Sequence, residues 1–142
     1  MISMKDNFTI GKLAKAANVG VETIRFYEQK LLLKQPRKIG AFRNYPLEYV
    51  ERIKFIKRAQ ELGFTLKEIS ELLALKLTSK SKCSDVLLKT NKKISEIEKK
   101  IIDLKGMKDS LENLASCCDN PDVSLSECSM LDIFTSNKRK EV

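Results

Sequence analysis

Histidine is absent from all 142 residues of this chain. The commonest general base at neutral pH is therefore missing. No nucleophile–base constellation takes its place, which argues against a thiolate-dependent enzyme. Any metal site must be made of sulfur, supplemented by carboxylate, backbone or water. Cysteine is absent from the first 82 residues, and all four cysteines lie from Cys83 onward. That asymmetry points to a local thiol site rather than a framework of staples. No apolar run approaches the length of a transmembrane helix. The stretch Met1 to Asn7 lacks the apolar core of a signal peptide. The expectation is a cytoplasmic protein with no membrane partner, in a compartment where structural disulfides are rare.

Positive charge is plentiful. Lysine and arginine number 27 against 19 acidic residues, a formal net charge of +8. Such a balance favours nucleic acid or an anionic surface as partner, although solubility alone also accounts for it. The length fits one domain, or a small domain with an appendage.

Thr9 offers a helix cap, and Ile10, Leu13, Ala14 and Ala17 after it form one apolar face. Asn18-Val19-Gly20 supplies a turn, and Val21 to Lys30 reads as a second helix. Two short helices joined by a tight turn make a helix-turn-helix pattern. Ile24 and Phe26 are the expected anchors of the second helix. Thr23, Arg25 and Tyr27 then offer polar atoms to base edges and phosphates, since a helix fits the major groove. A helical hairpin inside any globular domain would look the same.

Residues 35 to 46 combine turn formers, cations and aromatics. Ile39 and Phe42 to Tyr45 are expected to form two short strands around Gly40, a basic wing. Arg37, Lys38 and Arg43 suit phosphate oxygens, and Tyr45 suits stacking or hydroxyl donation to one. A helix is predicted from about Leu47 to Glu61, with Val50, Ile53, Ile56 and Lys57 at helical spacing and Phe55 and Ala59 broadening the face. Leu62-Gly63-Phe64 ends it, Gly63 taking a C-terminal cap position. Thr65 and Glu68 have the spacing of a capping box. Ile69, Leu72 and Leu73 carry the next helix to about Leu75.

From Ser84 to Ser116 the chain reads as one long helix. Leu87, Thr90, Ile94, Ile97, Ile101, Leu104, Lys108, Leu111 and Ala115 alternate at spacings of three and four, a heptad rhythm. A second copy of the helix would bury that stripe. Cys83 stands just before the helix, Cys117 and Cys118 just after it, and Cys128 a loop further on. The 35 positions from Cys83 to Cys118 span roughly 50 Å in a straight helix. Those two thiols of one chain cannot share an ion, but an antiparallel pair of chains brings Cys83 of one beside Cys118 and Cys128 of the other.

The chain resembles the MerR family of transcriptional regulators. The resemblance is carried by Thr9-Ile10-Gly11, Ala14-Lys15, Val21 to Glu28, Arg43-Asn44-Tyr45, Val50 to Ile53, Leu62 to Ile69 and the helix and cysteine pattern. It implies an all-α dominated fold. A winged helix-turn-helix domain with a small β-hairpin wing (residues 8–75) precedes a long antiparallel dimerisation helix (84–116). A metal-binding loop and short C-terminal helix (117–134) and a flexible basic tail (135–142) complete the chain. It implies a homodimer on double-stranded promoter DNA, with RNA polymerase at the same promoter, and no enzyme activity. Arg25 and Tyr27 match recognition-helix positions that approach DNA, with Thr23 nearby, and Arg43 and Tyr45 match wing residues that hold the backbone. Leu31 stands where metal-sensing relatives carry glycine, so its turn either avoids a left-handed backbone or accepts strain. Asn44 replaces a second wing arginine.

For the thiols, the resemblance implies an intersubunit site of Cys83, Cys118 and Cys128. A cysteine at the position of Cys83 implies a soft divalent ion: mercury, cadmium, lead or zinc. Three thiolates favour mercury or lead. A tetrahedral site would need a fourth ligand from Cys117, Asp119 or water. Zinc sensors of the family often use a loop histidine, and this chain has none. Metal capture is then expected to distort bound DNA and switch a resistance promoter from repressed to active. Two rivals stand beside this reading: a regulator whose Cys117–Cys118 or Cys118–Cys128 pair senses oxidation, and an architectural DNA-binding protein with inert cysteines.

Overall fold

The computed structural model describes residues 7–135. The expected basic tail lies outside them from residue 136 onward. The chain is dominated by α-helix and divides into two compact units, one ending at Thr90 and the other starting at Asn91.

In the first unit, β1 (Asn7–Phe8) leads into α1 (Ile10–Ala16), α2 (Val21–Gln29), the hairpin β2 (Lys38–Ile39) and β3 (Phe42–Arg43), then β4 (Tyr45–Pro46), α3 (Tyr49–Glu61) and α4 (Leu66–Leu77). Helix α5 (Cys83–Ser116) starts here and continues into the second unit. The wing pairs Lys38 with Arg43 and Ile39 with Phe42, antiparallel, and Gly40 at φ 67° opens its two-residue turn. Tyr45 leaves the wing. It pairs with Phe8 in a separate ladder that ties the start of the chain to the strand after the hairpin.

The first three helices end in the same way. Asn18, Leu31 and Gly63 take φ values of 56°, 61° and 92° just past the helix caps. In each case the residue after the left-handed one reaches back five positions: Val19 to Ala14, Leu32 to Tyr27 and Phe64 to Ala59. These are Schellman closures, and the apolar residue that follows each turn packs onto the helix core. Leu31 therefore accepts strain rather than avoiding a left-handed backbone. Its side chain is 87% exposed, so no packing compensates. The Tyr49 hydroxyl donates to the Lys34 carbonyl at 2.6 Å and Arg52 Nε to the Leu32 carbonyl at 2.9 Å, clamping the segment that follows.

The core collects Leu13, Ile24, Tyr27, Leu32, Leu33, Tyr45, Ile53, Ile56 and Ile69, all 2% exposed or less. The expected anchors of α2 are half right. Ile24 is buried, but Phe26 is 40% exposed and Tyr27 takes its place inside. One helical turn separates Ile24 from Tyr27 and Glu28, whereas Phe26 lies on another face. Helix α3 starts at Tyr49 rather than near Leu47, because β4 extends to Pro46 and a turn intervenes. Lys57 stays outside the core and donates to the Asn18 carbonyl at 3.2 Å. Thr65 and Glu68 form the capping box: Thr65 Oγ1 accepts from the Glu68 N–H, and Glu68 Oε1 from the Thr65 N–H.

Helix α5 begins at Cys83, one residue earlier than its apolar pattern indicates. Asp85 Oδ2 accepts from the Lys82 N–H at 2.7 Å and closes the helix start there. In the second unit, α5 runs to Ser116, and a 3-10 turn (Leu125–Glu127) and α6 (Ser129–Thr135) follow. Ile94, Ile97, Ile101, Leu104 and Leu111 of the heptad stripe are exposed in the single chain.

Candidate nucleic-acid interface and thiol site

The helix-turn-helix and wing share one hollow of about 680 Å3, lined among others by Arg25, Lys38 and Arg43 but not by Arg37. Arg25 and Arg37 are exposed, Thr23 and Arg43 half-buried, and Lys38 exposed on β2. Directly opposed Lys38 and Arg43 put like charges on facing strands, an arrangement that is unfavourable without an anion nearby.

Tyr27 and Tyr45 are placed differently from the cations. Tyr27 is 2% exposed, and its hydroxyl donates to Gln60 Oε1 on α3 at 2.7 Å. Tyr45 is 1% exposed, and its hydroxyl donates to Glu28 Oε1 at 3.1 Å. In the single chain, then, both hydroxyls donate to side chains of the fold rather than standing free. The helical period turns Tyr27 inward beside Ile24, and the ladder with Phe8 holds Tyr45 inside. Burial, then the Glu28 charge and hydrogen bond, push Tyr45 up to about 12, against the opposing pull of Arg43 and Arg25. Tyr27 is raised as well, by burial and then by Glu61.

Glu28 was not legible as a functional residue. It is a carboxylate on the buried face of α2, 9% exposed, lining the same hollow as the arginines. Its Oε2 and Arg43 Nε are the buried side-chain polar atoms without a hydrogen-bond partner among the described residues. The available signal was its spacing of four from Ile24, which sets it on the inner face.

The thiols divide between the two units. Cys83 is exposed at the first residue of α5. At the other end, the Cys117 and Cys118 N–H groups reach back only three residues, to Leu114 and Ala115, tightening the last turn. The Cys117 thiol faces the Asn113 carbonyl at 3.4 Å. Ser129 Oγ donates to the Cys117 carbonyl at 2.6 Å, fastening the start of α6 to the end of α5. Asn120 Oδ1 accepts from the Asp122 N–H at 3.0 Å and sets the intervening turn. This loop closes Cys118 and Cys128 around one hollow of about 450 Å3, with Asp119 and Glu127 also on its wall. Cys117 is not on that wall. All four cysteines are free. Among the described residues of the single chain, no three cysteine or acidic side chains gather as a complete metal site. Two thiols at one hollow nevertheless have the donor chemistry that suits a soft ion.

Two family models match the chain: "MerR HTH family regulatory protein" over residues 8–76 and "MerR, DNA binding" over 50–114. The mercuric resistance operon regulatory protein of Shigella flexneri is 44% identical over 114 residues, covering 80% of this chain and 78% of that protein. The protein of the same description from Bacillus cereus is 41% identical over 127 residues, covering 88% and 95%. Among solved structures, the regulator PbrR691 of Ralstonia metallidurans CH34 in complex with lead(II) superposes with a TM-score of 0.81 at 33% identity. The match covers 88% of this chain and 97% of that one. The MerR of Bacillus megaterium MB1 in complex with mercury(II) matches with a TM-score of 0.70 at 38% identity, covering 91% and 100%.

Proposed function

Because this chain belongs to the MerR family, in its soft-metal-sensing branch of metal-responsive DNA-binding regulators, we propose that it is the thiolate-based switch of a metal-resistance promoter. It acts in the cytoplasm as a homodimer. The exposed stripe of α5 is covered by the α5 of a second copy, antiparallel, and this pairing sets the spacing between two winged domains. Each α2 enters a major groove with Thr23 and Arg25 toward the duplex. Arg37, Lys38 and Arg43 meet phosphates beside it, and a phosphate there offsets the repulsion of the like-charged pair Lys38–Arg43. Tyr27 and Tyr45 brace α2 from within, through Gln60 and Glu28.

The ion is held between subunits, by Cys83 of one chain and Cys118 and Cys128 of the partner subunit. The observation that carries this reading is the hollow shared by Cys118 and Cys128, while Cys83 stands at the opening of α5. Three thiolates without histidine suit mercury(II) or lead(II) better than tetrahedral zinc; cadmium or zinc would draw on Cys117, Asp119 or water as a fourth ligand. Relatives described as mercuric resistance regulators, at 41–44% identity, favour mercury as the first ion to test. When bound, the ion contributes a bond network present in only one of two dimer arrangements. It shifts the balance by that difference in affinity. The arrangement it favours distorts the DNA between promoter elements so that RNA polymerase can use them, and the metal-free form represses.

The test is transcription from the promoter beside this gene, together with metal titration of the reduced protein. The expected result is one tight site per subunit and metal-induced transcription that is lost in C83S, C118S and C128S. Preserved induction in all three variants would overturn the reading. A thiol redox sensor would show no tight site under reducing conditions.

A further inference from the structure

Glu28 is a charged group on the inner face of a helix whose outer face is assigned to DNA. A carboxylate this buried, 9% exposed, is unfavourable unless both oxygens are satisfied. Tyr45 satisfies Oε1. Oε2 has no partner, and neither has Arg43 Nε, a donor lining the same hollow. Arg25 and Lys38 line it too. The hollow thus holds three cations and one anion, and its surplus is positive. A phosphate entering it would be repelled by a bare carboxylate at the back. It is attracted if guanidinium groups stand between. A guanidinium is a planar fork of five donors, able to grip a carboxylate on one edge and a phosphate on the other.

We propose that Glu28 is a positioning residue of the DNA-binding surface: fixed to the strand after the wing through Tyr45, its unpartnered Oε2 takes up the unpartnered Arg43 Nε when the chain binds DNA, so that the outer edge of the guanidinium faces the duplex. This rests on the DNA-binding reading above. It adds that the recognition helix and the wing are oriented jointly, by one buried charge, rather than each by its own packing. Discrimination between sequences then depends on Glu28, because base contacts from α2 and phosphate contacts from the wing are held in register only while that charge is present. Sequence-independent attraction does not depend on it, since Glu28 itself is negative.

The test compares the full-length wild-type chain with E28Q, which keeps the shape and the acceptor for Tyr45 but removes the charge. Two duplexes of equal length are used, one selected by the wild-type chain from a random-sequence pool and one scrambled. Fluorescence anisotropy gives both affinities. E28Q is expected to bind the selected duplex about tenfold more weakly, the scale of one charge-assisted contact, and the scrambled duplex as well as before or better. A carboxylate that acted only by repelling DNA would, on removal, tighten both duplexes together, and that result overturns the proposal. So does an unchanged ratio of the two affinities. If E28Q does not fold, R43K replaces it: the point charge remains, but one ammonium cannot bridge carboxylate and phosphate. The same loss of ratio is then expected, and a retained ratio overturns the role of Glu28. A wild-type chain that selects no sequence from the pool removes the DNA-binding reading and this inference together. A discriminating wild type beside an equally discriminating E28Q removes this inference alone.

Discussion

The Tyr45 hydroxyl donates to Glu28 Oε1 at 3.1 Å, joining the strand after the wing to the inner face of α2. Tyr45 is held neutral there, its pKa pushed up to about 12 by burial first and then by Glu28. A phenol whose folded pKa exceeds its unfolded value near 10 stabilises the fold fully below that unfolded value. The contribution disappears as pH rises through the folded pKa. Wild type is therefore expected to be more stable than Y45F up to about pH 10, with the gap closing between 10 and about 12. Removing the hydroxyl also leaves both Glu28 oxygens unpartnered, at a cost of about 1–3 kcal/mol near neutral pH. Urea unfolding of the two chains across this range measures both effects. A gap that widens above pH 10 would contradict the assignment.

Leu31 holds a left-handed backbone at φ 61° with its side chain 87% exposed. Replacing it by glycine relieves the clash of Cβ with the carbonyl and loses almost no packing. The relief exceeds the extra entropy that glycine loses on folding. L31G is expected to stabilise the chain by about 1 kcal/mol in chemical denaturation, with the Leu32–Tyr27 closure retained. A destabilised L31G would mean that this side chain has a contact in the dimer that the single chain does not display.

Arg43 is assigned to phosphate and not to a base. R43A is expected to weaken binding to both duplexes, the selected one further because the wing's register with α2 goes with it, and to lower the steepness of the salt dependence by about one. Affinities over a series of salt concentrations decide it. A loss confined to the selected duplex would move Arg43 from backbone contact to sequence reading.

The adjacent cysteines are expected to behave differently. Cys118 shares a hollow with Cys128, whereas the Cys117 thiol faces the Asn113 carbonyl. In mercury(II) titrations of reduced protein, C118S is expected to lose more than the roughly 10- to 100-fold typical of removing a group that merely supports a ligand. C117S is expected to stay below that range. Equal losses would place both thiols on the ion.

Much of the first unit was legible because its signals are local. Thr65 and Glu68 announce a capping box within four residues, and Gly63 a left-handed helix end. Ile53 and Ile56 reveal their face by spacing alone. Leu31 was ambiguous, because a leucine does not declare its φ; the closure onto Tyr27 selects it. Of the two neighbouring aromatics of α2, Phe26 is the expected anchor, but the spacing of three from Ile24 puts Tyr27 on the inner face.

By itself, the sequence determined the element types, the basic wing, the heptad that needs a second copy, and the presence of thiols but no histidine around α5. These follow from backbone preferences and side-chain chemistry acting over a few residues. Only the tertiary structure decided that Tyr27 and Tyr45 turn inward, that Glu28 becomes a buried carboxylate beside Arg43, and that Cys118 rather than Cys117 shares a hollow with Cys128. Helical periodicity fixes which side chains share a face. Which face is covered, and which buried polar atoms are left without a partner, depends on partners distant in the chain.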